Sequence, residues 1–155
     1  MEKRKNLHDY SLVMILLAVL GTLNFVATAV GNWVDGTVSD ALATVEADLL
    51  LPVKIGLCVV AALMVFLSLA EVFIGVKGLK ISREPNADKG HIVASKIFLA
   101  INVLAVISLV ASLINNEAPV VDTVLTLVNA VLDIIVYVYF IKSANAVRNE
   151  FIANK

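Results

Sequence analysis

Residues 10–34 read YSLVMILLAVLGTLNFVATAVGNWV, an unbroken run without Asp, Glu, Lys or Arg. At 1.5 Å per residue, about 20 residues of helix cross the roughly 30 Å hydrocarbon core of a bilayer. The run is long enough, and too uniformly apolar for a helix with one face in water, so it predicts a membrane span. Working outward, three more apolar blocks follow, and the four spans are set at about 11–32, 50–76, 93–114 and 119–141. Apolar residues make up 60% of the 155 positions and mean hydropathy is +0.93, above the roughly half expected of a soluble domain. No segment outside the blocks is large enough to bury a core of its own. The expected fold class is therefore all-α, a single polytopic domain forming a four-helix up-down transmembrane bundle.

Charge sets the orientation. Lys3, Arg4 and Lys5 precede the first span, Lys77, Lys80, Arg83 and Lys89 lie in the connection 77–92, and Lys142, Arg148 and Lys155 follow the last span. These ten of the twelve basic residues fall on one side, whereas the connection 33–49 is acidic, with Asp35, Asp40, Glu46 and Asp48. The positive-inside rule then places both termini and the loop 77–92 in the cytoplasm, and the membrane is expected to be a plasma (inner) membrane. Trp33 suits the outer interface and Tyr10 and Tyr139 the inner one. The start, MEKRK before an apolar stretch and Ala27–Ala29, mimics a secretory signal, but the apolar stretch exceeds a signal's 7–15 residues and reads as a retained helix. Within the acidic connection, Ser39 or Asp40 is expected to cap a short helix with an apolar face of Ala41, Leu42, Val45 and Leu49, and Pro52 to mark a bend.

The polar residues inside the spans carry the functional question. On the fourth, Asp122, Thr126, Asn129, Asp133 and Tyr137 step by three or four and share one helical face. The first span offers Asn24, Thr28 and Asn32, the third Asn102, Ser108 and Ser112. On the second, Glu71 shares a face with the small residues Ala61, Ser68, Gly75 and Gly78. Such faces should meet one another and avoid lipid, joined by hydrogen bonds between helices. Glu71 lies about 9 Å in from Lys77 and Lys96 about 7–8 Å in from His91, so the two are expected to pair at one depth. Asp133 lies about 13 Å in from Lys142, with no basic residue at its level. It should be protonated, hydrogen-bonded to Asn24, Asn102 or Asn129, or hydrated.

Other chemistries lack the residues they need. Two histidines and one cysteine, Cys58, stand in no metal-ligand spacing, and one cysteine cannot close an intramolecular disulfide. No metal, cofactor or catalytic constellation is expected, and the chain reads as no enzyme. The basic residues serve topology and lipid headgroups, with no nucleic-acid partner. Two functions are carried forward. In the first, a structural or accessory membrane protein uses its polar faces to assemble the bundle, a homo-oligomer or a partner subunit. The alternative is a small ion or proton channel or transporter, its path lined by Asp133, Asn129 and Glu71 with Asn24 and Asn102.

Overall fold

A computed structural model describes residues 2–114 and 120–154. Among them the chain is all-helical: α1 spans Glu2–Val34, α2 Thr37–Ala43, α3 Leu50–Arg83, α4 Gly90–Ile114 and α5 Val120–Ala153. The four long helices coincide with the four apolar blocks, and each is long and apolar enough to cross a membrane. In their most apolar windows only 6–17% of residues are buried within the chain. A soluble protein rarely leaves more than a few hundred Å² of contiguous apolar surface uncovered, so lipid is the solvent this surface requires. At 33 or 34 residues, α1, α3 and α5 run to about 50 Å, well past the hydrocarbon core. The excess is polar: Glu2–Asp9 opens α1, Lys77–Arg83 closes α3 and Lys142–Ala153 closes α5.

The chain divides into two compact units. The first comprises residues 2–15 and 73–154, and all four long helices meet in it. Its core joins Leu7 and Met14 of α1, Ile74 and Ile81 of α3, Ile92 of α4, and Tyr137, Phe140, Ala144 and Val147 of α5. The contributors alternate between helix beginnings (α1, α4) and helix ends (α3, α5), which is the up-down order expected. Buried positions on α5 recur every seven residues at Thr123, Ala130, Tyr137 and Ala144, the spacing of a left-handed helix-packing seam. Phe98 stacks on Tyr137 with ring centres 6.1 Å apart, and Tyr10 stacks on Tyr139 at 5.3 Å. Gly75 and Gly78 are buried in this unit. A β-carbon on Gly75 would run into Ile15 of α1, and one on Gly78 into Ser11 and the Phe140 ring. The small-residue face of α3 is thus a contact face over these two positions.

The second unit comprises residues 16–72 and contains the rest of α1, all of α2 and the first part of α3. Most of its residues are exposed, Ala18 being a buried exception. Here α1 and α3 flank an apolar groove lined by Val19, Leu23, Val65, Leu69 and Val72, with Thr22 and Ser68 among them.

Two local expectations need correction. The short helix α2 begins before Ser39 or Asp40: Gly36 takes a left-handed φ of 88°, which suits a residue without a β-carbon, and α2 starts at Thr37. Asp35 Oδ1 accepts the Thr37 amide at 2.9 Å, so the Asp-Gly pair supplies the start signal. This Thr37 contact holds the exposed Asp35 carboxyl below the ordinary carboxylate range. Pro52 marks no break, because α3 starts at Leu50 and places it in the first turn, where its missing N–H leaves no helical bond unmade.

The close approach gives a test. Gly78→Ala should cost about 1–3 kcal/mol, the usual penalty of overpacking, since neither the Phe140 ring nor Ser11 has room to yield. Gly21→Ala and Gly56→Ala, with nothing within 4 Å, should be neutral or stabilising. Denaturant titration of the three variants in detergent checks the order.

Candidate functional site

The polar stripe of α5 runs from a packed region to an uncovered one. Along a single seven-residue phase, Val147 and Phe140 are fully covered, Asp133 is half-buried and Thr126 is exposed. Asn129 is exposed as well, whereas Tyr137 belongs to the core. Asp122 lies where side chains fall outside the described set. Among the described residues Asp133 makes no hydrogen bond or ion pair. Asn102 does not serve it: its Nδ2 donates to the carbonyl of Phe98 on its own helix at 3.0 Å. Lys96 is exposed on α4 and belongs to the first unit. Glu71 is half-buried on α3, Asn24 is exposed on α1, and both belong to the second unit. Of the eight residues singled out, the first unit therefore holds Lys96, Asn102, Thr126, Asn129, Asp133 and Tyr137.

Seven of the described polar side chains bond within their own helices and not between them. Ser11 Oγ donates to Leu7 O at 2.6 Å, Ser95 to His91 O at 2.7 Å, and Ser82 to Leu79 O at 2.7 Å. Thr22, Ser68, Ser112 and Asn145 likewise donate to a carbonyl three or four residues back. A short side chain in an apolar medium takes the nearest acceptor, and on a helix that is the preceding turn. These residues aid packing by being small and self-satisfied. Ser11 and Ser95 are fully buried on those terms.

Two features of this region are not foreseen from spacing. The first is a clasp on the connection between α3 and α4. Lys77 Nζ of α3 contacts Asp88 Oδ2 at 3.2 Å, Asp88 Oδ1 accepts the Gly90 amide at 2.9 Å at the head of α4, and Arg148 Nε of α5 donates to Ala87 O at 3.1 Å. Lys3 and Glu150 add an ion pair of 3.4 Å between α1 and α5. The Gly90 amide and then Lys77 hold the Asp88 carboxyl below its ordinary range. Asp-x-Gly ahead of an apolar run is a recognisable cap signal, but its ties to Lys77 and Arg148 depend on the fold. The second feature is His91 in the first turn of α4. Only 3% exposed, it meets Phe140 edge-on at 6.1 Å, and neither ring nitrogen has a hydrogen-bond partner.

Among the described residues no three His, Cys, Asp or Glu side chains converge as metal ligands would. The clasp carries a pH dependence with a definite sign. The folded-state value of Asp88 is depressed, so its contribution is complete above the ordinary ~3.9 and is lost as pH falls through the folded value. Asp88→Ala should remove the cap at a cost of about 1 kcal/mol near neutrality and flatten the acid limb of the stability curve. Thermal unfolding of both proteins from pH 3 to 7 checks it.

Comparison with protein families, with characterised proteins and with solved structures finds no match. The assignment therefore stands on the helices themselves: four of them, long, apolar and largely bare of protein cover, make this chain a small integral membrane protein.

Proposed function

We propose that the chain is a structural or accessory component of a membrane assembly, docking through uncovered polar helix faces onto a second copy of itself or onto a partner subunit. The observation that carries this reading is where the amides sit. Asn24 and Asn32 of α1 and Asn129 of α5 are exposed on helices whose surroundings are Leu, Val and Ile. A primary amide without a partner in an alkane-like medium costs about 4–8 kcal/mol relative to water. Another helix can supply both donor and acceptor, and a lipid tail supplies neither. Asp133 shares the polar stripe of α5 with Asn129, half-covered and unpartnered among the described residues, and gains from the same cover. On this reading the reaction chemistry is nil, the membrane is a plasma (inner) membrane, and the basic ends lie on its cytoplasmic side, the orientation that the distribution of Lys and Arg favours.

The test is the size of the assembly in a bilayer. Protein extracted into nanodiscs at low protein-to-lipid ratio should contain two or more copies, or a copurifying subunit. Asn129→Leu combined with Asp133→Leu should reduce that to single copies without loss of helical content. Single copies for both proteins would refute the proposal.

A second reading has one observation in its favour. Asp133 is an intramembrane acid with no counter-ion among the described residues, the usual mark of an ion or proton path. Liposome flux assays separate the two readings. The assembly reading expects no proton or cation flux above that of empty liposomes, for the parent and for Asp133→Asn alike. Flux in the parent that is lost in Asp133→Asn would install the transport reading in its place.

A further inference from the structure

His91 is the sharpest anomaly in the first unit. Buried polar side chains almost always find a partner, and a neutral imidazole must place one N–H somewhere whichever tautomer it adopts. Here the ring is 3% exposed and both nitrogens are unpartnered. Its ring neighbour, Phe140, offers no conventional acceptor. The hydroxyl one turn on, Ser95, donates to the backbone carbonyl of His91 itself and not to the ring. Nor is its ring neighbour free to make room, since Phe140 is fully buried and packs closely on Gly78. A bound ligand is therefore a poor explanation, and the ring is held by packing alone.

The groups around it say what a second proton would do. Among the described residues the charges acting on the ring are Asp88, in the connection, and Lys77, on α3. On α5 the nearest fixed charge to that connection is Arg148, which binds it through Ala87 O, while Glu150 is taken by Lys3. On α1 the titratable residues between buried Leu7 and Ser11 include His8 and Asp9, which contact each other at 3.3 Å. An imidazolium has two donors to satisfy. Asp88 is the carboxylate whose charge reaches the ring, and it is already bound by Lys77 and by the head of α4.

We propose that His91 is a proton-operated latch: neutral, it packs edge-on against Phe140 and keeps the α3, α4 and α5 ends together, and protonated, it leaves that site to compete with Lys77 for Asp88. Neither state requires any change in the apolar part of the helices. The latch opens the basic ends of the first unit as pH falls through the ordinary histidine range.

Amide hydrogen exchange of the full chain in nanodiscs tests this, at pH 7.5 and 5.5 with the intrinsic pH dependence divided out. One proton taken up on opening, read one unit below the ordinary ~6.5, corresponds to about a tenfold loss of protection. That loss is expected in peptides covering residues 91–98 and 137–147, and should be absent from 55–66. It should vanish in His91→Phe and persist in His8→Ala. An equal loss in His91→Phe, or none in the parent, overturns the proposal. Should His91→Phe fail to fold, His91→Gln takes its place with the same expectation. Nitrogen-15 NMR of the imidazoles gives an independent reading: His91 protonating while protection stays constant would also overturn it.

Discussion

The close approach of α3 to its neighbours at Gly75 and Gly78 is the constraint on which the first unit depends. In a bilayer, lipid tails are as apolar as leucine, so helices gain little from hiding side chains and much from fitting closely. Hydrogen in place of a side chain at two positions one turn apart lets α3 seat against Ile15 and Ser11 of α1 and against the Phe140 ring. With Phe140 fixed, His91 is covered and Tyr137 stacks on Phe98. The charged contacts Lys77–Asp88, Arg148–Ala87 and Lys3–Glu150 lie outside this knot, mostly solvent-exposed, and such contacts contribute modestly. They position the connection; packing holds the helices.

The same physics explains why cover thins along α5. Toward Val147 the helix is flanked by long, polar-ended helices with small or flat side chains between them. Toward Thr126, outside the seam of Thr123 and Ala130, most residues are ordinary apolar ones that lipid solvates as well as protein does. Val128, Val131, Leu132 and Ile135 are exposed at no cost in hydrocarbon. Asn129 on the same stretch is not in that position. Ser11 and Thr22 avoid the difficulty by bonding to their own backbone, which an asparagine amide, with two donors and one acceptor, does only in part. Exposed amides are therefore the residues that distinguish a finished surface from an unfinished one.

Much of this was legible in the sequence. The four blocks, the up-down order and the small face through Gly75 and Gly78 follow from length, charge and period. So does the polar stripe on α5, although not its division into buried Tyr137, half-buried Asp133 and exposed Asn129. Period says which residues share a face and is silent on how far the partner helix covers it. The capping by Asp35 and Gly36 lay in plain view as an Asp-Gly pair, but Ser39 and Asp40 are equally good capping types and only the backbone decides among them. His91 was hidden for another reason. A histidine beside Lys89 and Gly90 at a span boundary reads as wet, and its burial arises from Phe140, nearly 50 residues away in the chain.

The central claim is that the face of α5 bearing Asn129 is covered by protein in the membrane. A spin label at position 129, in a Cys58→Ser background and reconstituted in lipid, measures this through its collision rate with dissolved oxygen, which concentrates in the bilayer interior. A label at 129 should be shielded from oxygen relative to one at Val131, an exposed apolar position on the opposite face of the same helix. Equal oxygen accessibility at 129 and 131 would place both on lipid and contradict the account.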